Sequence, residues 1–384
     1  KETQTKQFEK REVNFQQFSG SASCRKCHQD IYEKHLLTGH HLTSIPAAEK
    51  YIKGSFEKGE NIFSFHPGLY VSMERRDSGL YQAAFSQGVE KVARRFDIIM
   101  GSGTKGQTFL AWQGNNLFQL PITYFTQADA WCNSPGFPDK VIFNRPATVR
   151  CLECHATYAN KISSIDEEPD AFDHKQIIYG VECEKCHGEG DKHVLYETEH
   201  PGETPGKYII NPGKLSRQQS LDLCALCHGG RLSKTQPSFE FTVGKNLADY
   251  FVKDTSGGPA NIIDVHGNQY GLLQQSKCFK NTSSLTCVTC HNTHENERGK
   301  LALFSARCMT CHKPEDHNFC KNTKVSKKLL KSNCIDCHMP KEPSMSVAVI
   351  LEGKQLPTPA LLRTHFIKVY SEIKKAALPA TSIN

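Results

Sequence analysis

The chain contains no run of 18 consecutive apolar residues, which excludes a membrane-spanning helix. Methionine (5) and tryptophan (2) are scarce, and hydrophobic residues make up only 38% of 384 positions, modest for a core of that size. A dominant charge sign is missing too. Against 47 basic residues stand 40 acidic ones, and a formal charge of +7 is weak ground for a nucleic-acid partner, so none is expected. From Lys1 onward there is no charged-then-apolar leader, and the reading is an exported chain whose signal peptide has been removed. Gly101-Ser-Gly-Thr-Lys-Gly-Gln-Thr has Gln107 where a phosphate loop needs lysine, and is read as a turn. No long sequence period is present, which excludes a solenoid.

Cysteine, by contrast, is abundant, and its placement decides the reading. Seven copies of Cys-x-x-Cys-His occur: Cys24/Cys27/His28, Cys151/Cys154/His155, Cys183/Cys186/His187, Cys224/Cys227/His228, Cys287/Cys290/His291, Cys308/Cys311/His312 and Cys334/Cys337/His338. This is the spacing at which two thiols add to porphyrin vinyl groups while the adjacent histidine becomes the proximal iron ligand. Zinc sites share one ion between two cysteine pairs and need no adjacent histidine. A redox dithiol needs one motif, and disulfide frameworks belong to short chains. The expected cofactor is therefore haem c, seven copies, covalently held. Porphyrin supplies the missing apolar volume, and the basic excess neutralises propionates.

The expected fold class is a mostly irregular chain with short α-helices wrapped around a multihaem core, plus a small β-rich subdomain. The expected organisation is an N-terminal segment with the first motif (1–59), a motif-free β-rich subdomain (60–148), a hexahaem region (149–345) and a tail (346–384). In the motif-free stretch, Asn61 to Met73, Leu80 to Phe85, Phe96 to Met100, Gln107 to Gln113 and Asn116 to Tyr124 are short mixed runs between turn residues, read as strands. Thr108 to Phe118 reads as a hairpin turning at Gly114-Asn115. Helices are expected over Ser220 to His228 and Val325 to His338. In the tail, Leu362, Phe366, Val369 and Ile373 stand at helical spacing, so an amphipathic helix is expected over Pro359 to Leu378.

Seven of the 18 histidines are proximal ligands, and eleven remain: 35, 40, 41, 66, 174, 193, 200, 266, 294, 317 and 365. A supply that covers seven more ligands points to iron gripped by imidazole on both faces. His294 follows His291 by three residues. On a helical turn the two share a face, so His294 is expected to reach a neighbouring haem rather than its own. The same logic extends to His193 and His317. His266, His317 and His174 are further distal candidates, while His200, between Glu199 and Pro201, is read as an ordinary surface histidine. Cys278 and Cys320 form a candidate disulfide, and Cys132 stands apart. Met339, directly after a proximal histidine, is sterically unsuited to be an axial ligand.

Cys24-Arg-Lys-Cys-His-Gln-Asp-Ile-Tyr followed by Thr38-Gly39-His40 resembles the opening of multihaem c-type cytochromes, including the tetrahaem carriers of nitrifying bacteria and tetratricopeptide-associated multihaem cytochromes. Gly180 to His193 is similar to their CHGPG…H segment, and Leu285 to His294 to their CxxCHxxH segment. Cys337-His338-Met339-Pro340 with the late His365 also fits. The resemblance implies His40, His193, His294 and His365 as distal ligands. It departs at His35, where a tryptophan is usual and where histidine could itself bind iron, and at His41, which stands beside His40 and leaves open which of the two is the ligand.

Two function classes compete. The first is an electron carrier in the periplasm or at the cell surface, within reach of other redox proteins (cytochromes, quinol-linked or terminal reductases), or self-associated into an oligomer or filament. The second is an oxidoreductase acting on a small nitrogen or sulfur compound at one open haem, for which the first motif is the candidate. All seven motifs end in histidine, and the histidine surplus favours the carrier.

Overall fold

The computed structural model describes residues 13–164, 167–253 and 263–370. Residues 44–146 are mainly strand: β1 (Ser44–Pro46), β2 (Ile62–His66), β3 (Leu69–Arg76), β4 (Gly79–Ser86), β5 (Val89–Arg95), β6 (Ile98–Met100), β7 (Gly106–Gln113), β8 (Asn116–Gln119), β9 (Ile122–Phe125), β10 (Ala130–Asn133) and β11 (Arg145–Pro146). Strands β2 to β5 form a four-stranded antiparallel meander. A second sheet runs β1-β6-β7-β8-β11, with β9 and β10 attached through β7.

The expected hairpin forms between β7 and β8 in the register Gln113↔Asn116, with Gly114 at φ +59 in the turn. Strand β5 was not expected. Its sequence Val-Glu-Lys-Val-Ala-Arg-Arg is charged and at the sheet edge. It is reached through Gln87 (φ +51) and Gly88 (φ +75), a mirror-image turn built without the usual Asn-Gly or Asp-Gly signal.

Strand β7 shows why this body is well specified. Phe109 and Ala111 point into one apolar cluster with Phe56, Phe96 and Trp131, where the Phe96 and Phe109 rings meet at 4.6 Å. Leu110 points the other way, into a cluster with Ile98, Leu117, Val149, Leu152 and Phe172. A strand covered on both faces reads as a continuous apolar run, as Phe-Leu-Ala-Trp does here.

The helices are short: α1 (Ser21–Cys24), α2 (Gln29–His35), α3 (Val149–His155), α4 (Cys183–His187), α5 (Asp191–Glu199), α6 (Arg217–His228), α7 (Gln269–Gln275), α8 (Lys277–Lys280), α9 (Leu301–Met309), α10 (Lys327–Ser332) and α11 (Ile335–His338). Ser216 and Gln219 form a capping box that starts α6. The single helix expected up to His338 is broken at Asn333. Its side-chain oxygen accepts from Asp336 N–H and so starts a separate α11.

Beyond 149 the chain is more than loops and helices. Two-stranded sheets pair β12 (Ala156–Lys161) with β13 (Phe172–Tyr179), β14 (Leu232–Lys234) with β15 (Phe251–Lys253), and β16 (Lys341–Val349) with β17 (Thr358–Arg363). The last pair corrects the tail expectation. Residues 358–363 are strand and 364–370 are non-helical, while 371–378 lie outside the described residues. The apolar spacing is satisfied differently: Val349 and Ala360 are buried in the β-body cluster, with Val347 and Leu362 packed on it. Cross-strand pairing and burial outweigh a helical period over so few residues. Among the described residues, no helix is long and apolar enough to cross a membrane.

Candidate haem-binding site

The seven motifs converge on one cavity of ≈ 3180 Å³, several times the roughly 300–1,000 Å³ of a single-ligand pocket. All seven motif histidines line it, as do all the motif cysteines except Cys27 and Cys151. Met100, Thr108, Thr123 and Phe125 of the β body close one side.

Short hydrogen bonds tie the motifs to one another. Ser19 and Gly20 N–H groups donate to the Glu184 carboxylate at 2.8 and 3.0 Å, joining the first motif to the third. Arg150 donates to Leu226 O at 2.8 Å, joining the second to the fourth. Arg217 donates to Leu285 O at 3.0 Å, joining the fourth to the fifth. Arg307 donates to Cys290 O at 2.8 Å, joining the fifth to the sixth. Cys334 N–H donates to Ser305 Oγ at 2.9 Å, joining the sixth to the seventh. The Cys24 and Cys183 thiols also face each other. The hydrogen bond from Cys24, ahead of the opposing effect of burial, draws Cys183 down to about 6. Cys334 is drawn to about 6 in the same way by Cys308.

Ring nitrogens are fixed in one sense. The Nδ1–H groups donate from His155 to Thr43 O (3.2 Å), His187 to Ile210 O (3.0 Å), His228 to Gln269 Oε1 (3.1 Å), His312 to Asn318 O (3.1 Å) and His338 to Lys368 O (2.9 Å). Each bond sets the tautomer and leaves the Nε2 lone pair for a metal. His193, in the first turn of α5, has the same arrangement with Lys207 O at 2.8 Å.

Three motif histidines face a second histidine across the cavity. Ring centres lie 6.4 Å apart for His228 and His40, 6.1 Å for His187 and His294, and 6.1 Å for His291 and His365. That is too far for ring contact. It equals two metal–nitrogen bonds of about 2 Å plus the ring radii, about 6 Å in total. Burial, followed by the neighbouring motif histidine, lowers His40 and His365 to about 4, so both are neutral with a free lone pair at pH 7.

The other candidates are distributed unevenly. His266 lines the cavity near His155 and His228. His174 does not line it: its ring stacks on Trp112 at 3.7 Å and its Nε2 donates to Gly114 O at 2.9 Å. His317 is exposed and off the cavity wall. Cys278 and Cys320 are not bonded to each other, and Cys132 is buried in the β body with Sγ 3.3 Å from Thr123 O. His41 Nδ1 lies 2.6 Å from Glu182 Oε1, and His35 Nε2 lies 3.5 Å from Glu182 Oε2. Burial pushes the Glu182 carboxyl up, but the facing His35 ring and the hydrogen bonds with His41 and Ser21 outweigh it and hold the group at about 2.

The residues fit haem c: paired thiols, tautomer-fixed neutral imidazoles and a gap of the right width. Glu182, Glu184, Arg150, Arg217 and Arg307, which lock the motifs together, were not found from sequence. Nothing in their local spacing distinguishes them from surface charges.

Residues 140–188 match the family model described as cytochrome c554 and c-prime. No curated protein matches the chain. Among solved structures, the outer cell wall cytochrome OcwA is similar at TM-score 0.57 and 15% identity, over 88% of this chain and 79% of that one. The undecahaem cytochrome from the S-layer of Carboxydothermus ferrireducens gives TM-score 0.43 at 15% identity, over 94% of this chain and 53% of that one. The first likeness shows that the chain shares the fold of the outer cell wall cytochrome OcwA.

Proposed function

We propose that this chain is a seven-haem c-type electron-transfer protein, with most irons held between two imidazoles, working in the periplasm or at the cell surface. The observation that carries it is the set of three histidine pairs facing each other at 6.1–6.4 Å across a cavity lined by seven attachment motifs. Haem supplies one-electron chemistry when bound. The chain's own contribution is to fix ring nitrogens, exclude water and set the distances between stations.

The ligand pairs assigned by facing rings are His228/His40, His187/His294 and His291/His365. His193, with Nε2 free and both His28 and itself close to His187, is assigned to the first motif. His266 is assigned to the second. The inter-motif bonds support an order of first, third, fourth, fifth, sixth, seventh, with the second beside the fourth. Cys186 lies near enough to Cys224 and Cys227 to raise both thiols, which supports the step from third to fourth. OcwA is an outer cell wall cytochrome, and likeness to it supports a surface location here. The partners are then other redox proteins (cytochromes, quinol-linked or terminal reductases) or further copies of the chain. Mass spectrometry under denaturing conditions tests the count: seven covalent haems are expected, and fewer than six would sink the reading.

One observation favours the enzymatic alternative at a specific place. All 18 histidines fall among the described residues. After the assignments above, none of them is assigned opposite His312 or His338: His41, His66, His174, His200 and His317 lie off the wall, and His35, which lines it, faces Glu182. An open iron belongs at these motifs rather than at the first. Carbon monoxide titration of the reduced protein decides: no binding leaves only the carrier.

A further inference from the structure

His35, His41 and Glu182 form a cluster that the haem assignments leave unused. His35 closes α2, His41 follows the turn after it, and Glu182 is the residue before α4. One nitrogen or oxygen from each lies within 4.8 Å of the others. His35 and Glu182 are each 7% exposed. The His35 and His41 rings are 6.0 Å apart, like the axial pairs, but here the Glu182 carboxylate stands between them and neither belongs to a motif.

Three features mark a built site rather than a chance contact. First, His35 Nε2 is buried without a hydrogen-bond partner; at 3.5 Å the Glu182 oxygen it faces is too far to satisfy it. A buried orphan nitrogen is destabilising unless something fills its place. Second, Ser21 Oγ donates to Glu182 Oε2 at 2.6 Å and fixes the carboxylate from the far side. Third, the chain passes through Gly180 at φ +71. An added Cβ there would lie 2.4 Å from His41 O and 3.0 Å from Glu182 Oε1, so only glycine lets these segments meet.

Two imidazoles and one carboxylate are the donor set of borderline divalent metals, with a position left for water. The separation of 3.5 Å between His35 Nε2 and Glu182 Oε2 matches the edge of a tetrahedron with bonds of about 2.1 Å, about 3.4 Å. At 2.6 Å, His41 Nδ1 and Glu182 Oε1 share a proton. Metal entry releases that proton and opens the pair slightly. A divalent cation also offsets the charge of a carboxylate that is otherwise buried.

We propose that His35, His41 and Glu182 bind a non-haem divalent transition-metal ion of the zinc or ferrous class, beside the first and third attachment motifs. The site is separate from the seven haem irons and goes beyond the electron-transfer reading.

The test uses the haem-loaded protein, stripped with a chelator and titrated with zinc. One zinc per chain is expected, with zinc-edge X-ray absorption showing nitrogen and oxygen neighbours and imidazole scattering. Glu182→Gln and His35→Phe should each weaken uptake at least tenfold while the haem count stays at the wild-type value. A His66→Ala control should bind as wild type. If Glu182→Gln loses haem, the His35→Phe result stands alone, since that side chain ties no motifs together. Absence of zinc uptake by the wild type, or uptake unchanged in His35→Phe, overturns the site.

Discussion

His365 sets its ring 6.1 Å from that of His291, with 31° between the planes. The segment is clamped from behind: Ser276 Oγ donates to His365 O at 3.0 Å and accepts from Ile367 N–H at 2.8 Å. His365→Ala should therefore convert one iron from low to high spin and create one new carbon monoxide site, without changing the haem count. Spin quantification by electron paramagnetic resonance checks this. An unchanged spectrum would remove His365 from the ligand set.

His174 and His317 should be spectroscopically silent. His174→Ala removes a ring stacked on Trp112, and His317→Ala removes an exposed side chain. Neither should alter the ratio of low-spin to high-spin haem or the carbon monoxide stoichiometry. A new high-spin signal in either variant would restore that residue as a ligand.

The β body should be destabilised independently of cofactor loading. Phe109 is fully buried among Phe56, Phe96 and Trp131. Phe109→Ala should cost about 3–5 kcal/mol by loss of transfer energy and creation of a cavity. Denaturant unfolding followed by tryptophan fluorescence reads Trp131 together with Trp112, both of the β body. The number of covalent haems should stay as in the wild type.

Acid should loosen the junction between the fifth and sixth motifs. Glu297 is held at about 2, first by the hydrogen bonds from Arg307, then against the opposing effect of burial. A carboxyl depressed below its unfolded value of about 4.3 contributes full stability above that pH, and loses it as pH falls towards 2. Glu297→Gln should flatten the fall in melting temperature between about pH 4.3 and 2. If the slope in that window is unchanged, the pair does not govern the junction.

Parts of this arrangement were legible beforehand because their causes are local. The β7–β8 hairpin follows from Gly114 in its turn, and the start of α6 from the Ser216 cap. The seven motifs are covalent chemistry written in consecutive residues. Other parts were not legible. The tail joins β16 because Ala360 finds a buried place in the β body, which no helical period announces. Strand β5 uses a mirror-image turn without the usual residues. The stacking of His174 on Trp112 is likewise announced by nothing in the local sequence.

The amino-acid order alone determined how many Cys-x-x-Cys-His motifs the chain carries and where they stand, because the motif needs only neighbouring residues. The three-dimensional structure decided which histidine rings face each other across the cavity, since those partners come from segments far apart in the chain. Direction of a ring depends on the hydrogen bond behind it, and that bond comes from a strand or loop brought close only by folding.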